Sequence, residues 1–235
     1  MNKFIIIGGG LTGLTCAMKL IQMEIIPSNI KIFEARQEIG SPTRSPGIAI
    51  NSQNFKELFN IIKIQPLTLL NNENNILTFR REWLEKSILI YLANLNCNIY
   101  LKKRITETNL KKYINENYKI INCAGEKKKS SGFPADYTDF INTKNNIINY
   151  NFNKLIDWYG YLSLEPQETK FEDVFISINK KDGLSEIWTS QTQKINTPKN
   201  GWVEIIKSQF PNNSKYILAN NTIDRGYLLA NKAMK

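Results

Sequence analysis

Phe4 to Ile7 form a short apolar run with no polar alternation, followed directly by Gly8, Gly10 and Gly13. Such a run suits a strand buried on both faces. Past the glycines, Leu14, Met18, Ile21 and Met23 supply the apolar positions of a helix. Pro27 and Ser28 then turn the chain into a second apolar run, Ile30 to Phe33, which ends at Glu34. Over Phe4 to Arg36 the pattern predicts a strand, a glycine turn, a helix and a second strand.

The next stretch, Gln37 to Ala49, carries Gly40, Pro42, Pro46 and Gly47 and reads as a loop. Ser52 can cap a helix in which Phe55, Leu58, Phe59 and Ile62 fall at i, i+3, i+4 and i+7. A strand at Ile76 to Phe79 leads into an amphipathic helix, Arg81 to Leu95, with Leu84, Ile88, Tyr91, Leu92 and Leu95 as its inner face. Asn98 to Leu101 reads as a strand, Leu110 as the centre of a polar helix, and Lys119 to Cys123 as another buried strand.

From about Tyr150 the texture becomes alternating and aromatic. Trp158 to Leu164 alternates, and Val174 to Ile178 pairs with Leu184 to Trp188 across Lys181, Asp182 and Gly183, a strong hairpin signal. A helix over Gly201 to Phe210, stopped by Pro211, and a strand over Tyr216 to Ala219 complete the pattern. The fold class expected is α/β: a Rossmann-like dinucleotide-binding domain with a parallel sheet over residues 1–149, then a small antiparallel sheet over 150–235.

The first unit also carries chemistry. In a GxGxxG turn the first glycine allows the tight bend, the second lets the backbone approach a pyrophosphate, and the third lets helix and strand pack closely. Leu11 and Thr12 complete the motif here, and Ala17 keeps the helix contact small. The helix N-terminus offers free N–H groups and partial positive charge to phosphates. Glu34 follows Gly13 by about twenty positions, where an acid accepts hydrogen bonds from ribose hydroxyls.

Composition narrows the alternatives. The 235 residues include no histidine, which excludes Ser-His-Asp and Cys-His catalysis and histidine metal sites. Three cysteines, Cys16, Cys97 and Cys123, are far apart and odd in number, which fits a reducing compartment, the cytoplasm, and Cys16 and Cys123 read as small core residues. The charge of +10 arises from scattered lysines and arginines without a nucleic-acid motif. It fits solubility and attraction to an anionic cofactor, and peripheral contact with an anionic membrane stays open. Asn71 to Asn75 and Asn142 to Asn153 read as asparagine-biased surface loops. The early apolar run is broken by glycines and is too short for a membrane anchor.

GGGLTGL followed by FEAR resembles the N-terminus of FAD-dependent oxidoreductases of the glutathione-reductase type. EIGSPTRSPGIAI, with Arg44, is similar to the segment that follows the ribose-binding acid in geranylgeranyl-reductase-like flavoproteins and aromatic hydroxylases. Ser45 stands where the reductases usually carry a cysteine. Arg81, Leu84 and Ile88 resemble the helix whose leading arginine contacts FAD phosphate in flavin hydroxylases. Arg80 and Arg81 sit where a cation beside the positive helix end is unfavourable unless a phosphate is near. INCAG, Ile121 to Gly125, resembles the second dinucleotide-contact motif, with Ala124 in place of its aspartate and Lys127 to Lys129 and Ser130 where its Ser and Arg would follow. The Gly-Asp motif expected near the flavin is not recognisable. ILANN, Ile217 to Asn221, is one candidate remnant, and IDRGYLL, Ile223 to Leu229, is the alternative, as a segment that normally precedes the motif.

The resemblance implies FAD as cofactor, with Gly8, Gly10, Leu11, Thr12, Gly13, Glu34, Ala35, Arg36, Arg44, Arg81, Ala124 and Gly125 as contacts. It implies a small-molecule pocket lined by Trp158, Tyr159, Tyr161 and Trp188, although aromatics on a sheet are also ordinary packing. NAD(P)H would be a transient reductant. Monooxygenation of a small hydrophobic or aromatic substrate is the first reading and isoprenoid double-bond reduction the second. A nicotinamide dehydrogenase without flavin is a further alternative. The reading from another class is a non-catalytic nucleotide-binding or partner-binding module, in one variant completed by a partner chain. No catalytic side chain is singled out.

Overall fold

The computed structural model describes residues 2–40, 44–50, 52–62, 68–69, 76–124, 147–148, 154–168, 170–190 and 195–235. In chain order the elements are β1 (Lys3–Ile7), α1 (Leu11–Gln22), β2 (Ile30–Phe33), β3 (Ile48–Ile50), α2 (Gln53–Ile62), β4 (Thr68–Leu69), β5 (Ile76–Thr78), α3 (Arg81–Asn94), β6 (Asn98–Tyr100), α4 (Glu107–Asn115), β7 (Tyr118–Asn122), β8 (Ile147–Ile148), β9 (Leu155–Ser163), β10 (Lys170–Phe171), β11 (Phe175–Asn179), β12 (Ser185–Thr189), β13 (Glu204–Pro211) and α5 (Ala219–Met234). The chain gathers into two compact units. One comprises Met1–Ser41, Glu85–Asn151 and Ile223–Lys235, the other Pro42–Leu84 and Phe152–Thr222.

The first unit holds the expected parallel sheet, in the order β6-β2-β1-β7-β8. Successive side chains of a strand point to opposite faces, so a strand buried on both sides needs apolar residues throughout. On one face Ile5, Ile7, Phe33, Ile120 and Ile147 pack with Ile105 and with Leu110 of α4. On the other, Phe4 and Ile6 are buried, and α1 comes so close that a Cβ on Gly13 would lie 3.2 Å from the Ile6 side chain. The α1 face is also met by α5: a Cβ on Gly226 would stand 2.2 Å from Thr15 Oγ1 and 2.5 Å from the Thr12 carbonyl. Gly226 thus lets two helix backbones approach closely. Thr106 opens α4 with a capping box, its hydroxyl accepting from the Asn109 amide.

The second unit is antiparallel, in the order β10-β11-β12-β9-β13, with a smaller sheet β3-β5-β4. Ile176, Ile178, Trp158 and Trp188 form its core with Ile48, Ile76, Ile217 and Leu218. The hairpin β11–β12 turns at Gly183, whose φ of +83° is one that glycine adopts without strain. Ser52 caps α2 as expected, accepting from the Phe55 amide at 3.3 Å.

Two expectations are corrected. Gly201 to Phe210 does not form a helix: Glu204 to Pro211 is the strand β13, paired with β9 along its length. Ile205 and Ile206 favour an extended backbone, and Pro211 is tolerated because it ends an edge strand. Tyr216 to Ala219 is not a strand. Ser214–Tyr216 is a short 3-10 turn capped by the Asn213 side chain, and Ala219 begins the sixteen-residue helix α5, which Ile223, Tyr227 and Ala230 bury at helical spacing. Among the described residues no helix is long and apolar enough to cross a membrane, and no cluster of metal-ligating side chains occurs.

Candidate functional site

The candidate site is the glycine turn at the C-terminal end of β1. Gly8 takes φ +102° and donates its amide to the Phe33 carbonyl at 2.8 Å. A Cβ there would strike the backbone of Cys123 and Ala124 at 2.8 Å, so the β1 and β7 ends are as close as a bare glycine permits. Gly13 is tighter still, since its Cβ would fall 1.9 Å from the Gly8 carbonyl. A Cβ on Gly10, by contrast, would meet nothing within 4 Å among the described residues beyond its own helix and chain neighbours. The first and third glycines therefore serve internal packing. The second has ordinary backbone angles and space around it, so its lack of a side chain is unexplained by the fold and suits a ligand passing close.

Gly10 is the N-cap of α1 and supplies no side-chain cap, and the first turn of the helix has no acidic residue. The leading N–H groups thus carry the helix's partial positive charge with no carboxylate of their own turn to offset it. Leu11, Thr12 and Gly13 are all buried at this end.

Glu34 stands beside the turn, 6% exposed. Its Oε2 accepts from the Gly9 amide at 2.9 Å and from Arg36 Nη2 at 3.3 Å, and its Oε1 from the Arg36 amide at 2.8 Å and Arg36 Nε at 3.1 Å. Burial pushes this carboxyl up, but the Arg36 side chain and amide, its charge and the Gly9 amide together hold it below the usual carboxylate range. The acid is thereby held in its charged form and fastened to the turn through the Gly9 amide. Ala35 is half-buried between Glu34 and Arg36.

Sequence reasoning passed over two parts of this corner. Gly9 is not singled out among the motif glycines, yet it fastens Glu34, and a Cβ on it would lie 2.9 Å from the Ile39 side chain. The signal available was the third consecutive glycine. The basic turn after β6 is the other: Lys102, at φ +53°, donates its amide to the Arg36 carbonyl, and the Lys103 amide donates to the Glu34 carbonyl, each at 2.9 Å. Lys102, Lys103 and Arg104 are exposed there. Only pairing of β6 beside β2, not legible from spacing, brings them together.

The remaining candidates divide between the units. Ala124 abuts Gly8 in the first, its amide bonded to Asn122 Oδ1 at 3.1 Å, while Gly125, Lys127 to Lys129 and Ser130 lie outside the described residues. Both asparagine-rich stretches likewise fall outside them, except Ile147 and Ile148. Cys16 and Cys123 are buried in the first unit; burial pushes the Cys16 thiol well up, and Cys123 adds to it. In the second unit Arg44 is exposed, Arg81 is buried at the start of α3, and Arg80 pairs with Asp182 at 2.8 Å. Trp158 and Trp188 are fully buried in the sheet core, with indole N–H groups bonded to the Pro211 carbonyl at 3.1 Å and to Glu186 at 2.6 Å. Tyr161 is half-buried against Trp202, ring centres 5.0 Å apart, and Tyr159 carries Lys207 over its ring. Asn220, within ILANN, bonds the Ile50 amide and carbonyl at 2.6 Å and Ser52 Oγ at 2.8 Å.

No protein-family model matches this sequence, and no curated protein matches it. Solved structures do match its fold. A geranylgeranyl bacteriochlorophyll reductase-like protein from Thermoplasma acidophilum aligns with TM-score 0.60 at 13% identity, over 98% of this chain and 77% of that one. A flavoprotein/dehydrogenase from Cytophaga hutchinsonii aligns with TM-score 0.56 at 10% identity, again over 98% and 77%. The tetracycline destructase Tet(51) aligns with TM-score 0.51 at 11% identity, over 99% and 81%. At these identities the likeness is one of fold: a mixed α/β chain with a Rossmann-like parallel sheet and antiparallel sheets.

Proposed function

We propose that this protein is an FAD-dependent oxidoreductase, and within that class an NAD(P)H-dependent flavin monooxygenase acting on a small hydrophobic or aromatic substrate. The observation that carries the reading is the joint geometry of Gly10 and Glu34. A glycine whose added Cβ would meet nothing within 4 Å among the described residues stands at the N-terminus of α1, beside a buried, charged acid at the end of the adjacent strand. That pairing suits a pyrophosphate followed by a ribose.

The flavin supplies the redox chemistry when bound. In this reading the amides of Leu11, Thr12 and Gly13 hold the pyrophosphate, Glu34 takes the ribose with Ala35 and Arg36 beside it, and Ala124 and Gly125 border the turn. Arg44 and Arg81 are proposed as further cofactor contacts, supported by the resemblance of their segments to flavin hydroxylases. Of the aromatic pocket candidates, Tyr159 and Tyr161 retain accessible surface, whereas Trp158 and Trp188 serve packing.

The purified protein is expected to be yellow, with flavin absorbance, and to oxidise NAD(P)H in air with uptake of oxygen. Colourless protein that takes up no FAD overturns the reading. Hydrogenation of an isoprenoid double bond without oxygen uptake would move it to the reductase branch.

One observation favours a second reading, a nucleotide-binding module without catalysis. With ILANN taken as the remnant of the Gly-Asp motif, Ala219 and Asn220 stand in its place at the start of α5, and the Asn220 side chain bonds Ile50 and Ser52. FAD binding without NAD(P)H oxidation would select it.

A further inference from the structure

One hairpin of the second unit grips both segments that carry Arg44 and Arg81. Lys180, just after β11, forms an ion pair with Glu186 of β12, and the two side chains are 4% and 6% exposed. The Lys180 ammonium also donates to the Phe79 carbonyl at 3.0 Å. Glu186 Oε1 accepts from the Gly47 amide at 3.2 Å and from Trp188 Nε1 at 2.6 Å. At the hairpin tip Asp182 holds Arg80 Nε at 2.8 Å. The two gripped segments are tied to each other as well, by the Phe79 amide on the Gly47 carbonyl at 2.8 Å. They touch so closely that a Cβ on Gly47 would fall 1.9 Å from the Phe79 carbonyl and 3.1 Å from Lys180 Nζ.

Stability alone is a poor reason for this arrangement. Taking both charges out of water costs about as much as their attraction returns, and well-packed apolar residues often serve as well. An apolar pair could fill the volume but could not bond the Gly47 amide or the Phe79 carbonyl. What the charges add is direction: each is anchored in the hairpin and ends on the backbone of a different segment. Gly47 lies three residues after Arg44, and Phe79 two before Arg81.

We propose that Lys180 and Glu186 are positioning residues: through Phe79 and Gly47 they fix the backbone that presents Arg81 and Arg44, and so raise FAD affinity without touching the cofactor. This rests on the FAD reading and on the roles given there to the two arginines.

The experiment measures FAD affinity by flavin fluorescence, with thermal melting alongside, for wild type, Lys180→Met, Glu186→Gln, Arg81→Ala and each pair variant combined with Arg81→Ala. Lys180→Met removes the bond to Phe79. Glu186→Gln retains an oxygen for Gly47 and Trp188 but removes the charge facing Lys180. Both should melt as folded proteins and bind FAD about tenfold more weakly. Combined with Arg81→Ala, either should cost less than the sum of the two losses, because they act through the same arginine. Wild-type affinity in both folded pair variants, or losses that add in full to that of Arg81→Ala, overturns the proposal and leaves the FAD reading standing. Failure of both variants to fold makes the pair structural and also overturns it. Wild-type protein that takes up no FAD removes the FAD reading and this proposal together.

Discussion

Glu34 accepts the amide proton of Gly9 at 2.9 Å, across 25 positions of sequence. The bond makes one object of two features that a motif search treats apart, the glycine turn and the acid ending β2. A Cβ on Gly9 would lie 3.1 Å from Glu34 Cβ, so the backbone is already at contact distance. The turn cannot shift without carrying the carboxylate along. Such pre-organisation lowers the ordering cost of binding a ligand that spans both.

Glu34→Ala is therefore expected to weaken FAD binding about tenfold to a hundredfold, the range for losing hydrogen bonds to a charged group. Lys112→Ala, an exposed change on α4, serves as the control and should leave affinity unchanged. Fluorescence titration of both variants is the measurement. Equal affinities would take Glu34 away from the ribose.

The glycines separate packing from binding. Gly13→Ala drives a methyl to 1.9 Å from the Gly8 carbonyl, and overpacking of this kind costs about 1–3 kcal/mol, or more where backbone must move. Gly10→Ala meets nothing within 4 Å among the described residues beyond its own helix and chain neighbours and keeps an allowed φ of −73°. It should melt at or above the wild-type temperature, yet bind FAD poorly because the new methyl occupies the path of the pyrophosphate. Urea unfolding with FAD titration checks both. A Gly10→Ala protein with full affinity would place the pyrophosphate elsewhere.

Much of this was legible because it depends on local pattern. Phe4 to Ile7, the glycine turn and Ile30 to Phe33 specify a buried strand, a bend and a second buried strand in one continuous segment, and they form as expected. The hairpin at Gly183 and the cap at Ser52 are equally local. The misread segments were decided by partners distant in sequence. Glu204 to Pro211 is extended because β9 offers it a full ladder, and Trp158 and Trp188 look like pocket aromatics until Ile48, Ile217 and Leu218 close over them. Nothing local to the sequence marks Lys180 and Glu186. Their role depends on Gly47 and Phe79, more than a hundred residues upstream.

The Glu34 carboxyl also fixes the direction of a pH effect. Its folded value is lowered, so it contributes stability that is complete above the ordinary glutamate value of about 4.3 and fades as pH falls through the lowered one. Urea stabilities of wild type and Glu34→Gln should differ by a constant amount between about pH 6 and 8 and converge as the solution is acidified below about 4. A difference that widens on acidification would mean that the folded environment favours the protonated acid.

Gly160 and Trp188 test whether the second unit's aromatics are core or pocket. They are opposed across β9 and β12, and a Cβ on Gly160 would lie 2.6 to 2.8 Å from three atoms of the indole ring. Trp188 is fully buried and its N–H is bound to Glu186, so the ring cannot swing aside without breaking that bond. Gly160→Ala should accordingly destabilise the protein by about 1–3 kcal/mol, the cost of overpacking a filled interior. Urea unfolding followed by tryptophan fluorescence reads it. A ring lining an open pocket would retreat from the methyl instead, and a change below about 0.5 kcal/mol, typical of uncrowded sites, would return Trp188 to the substrate side.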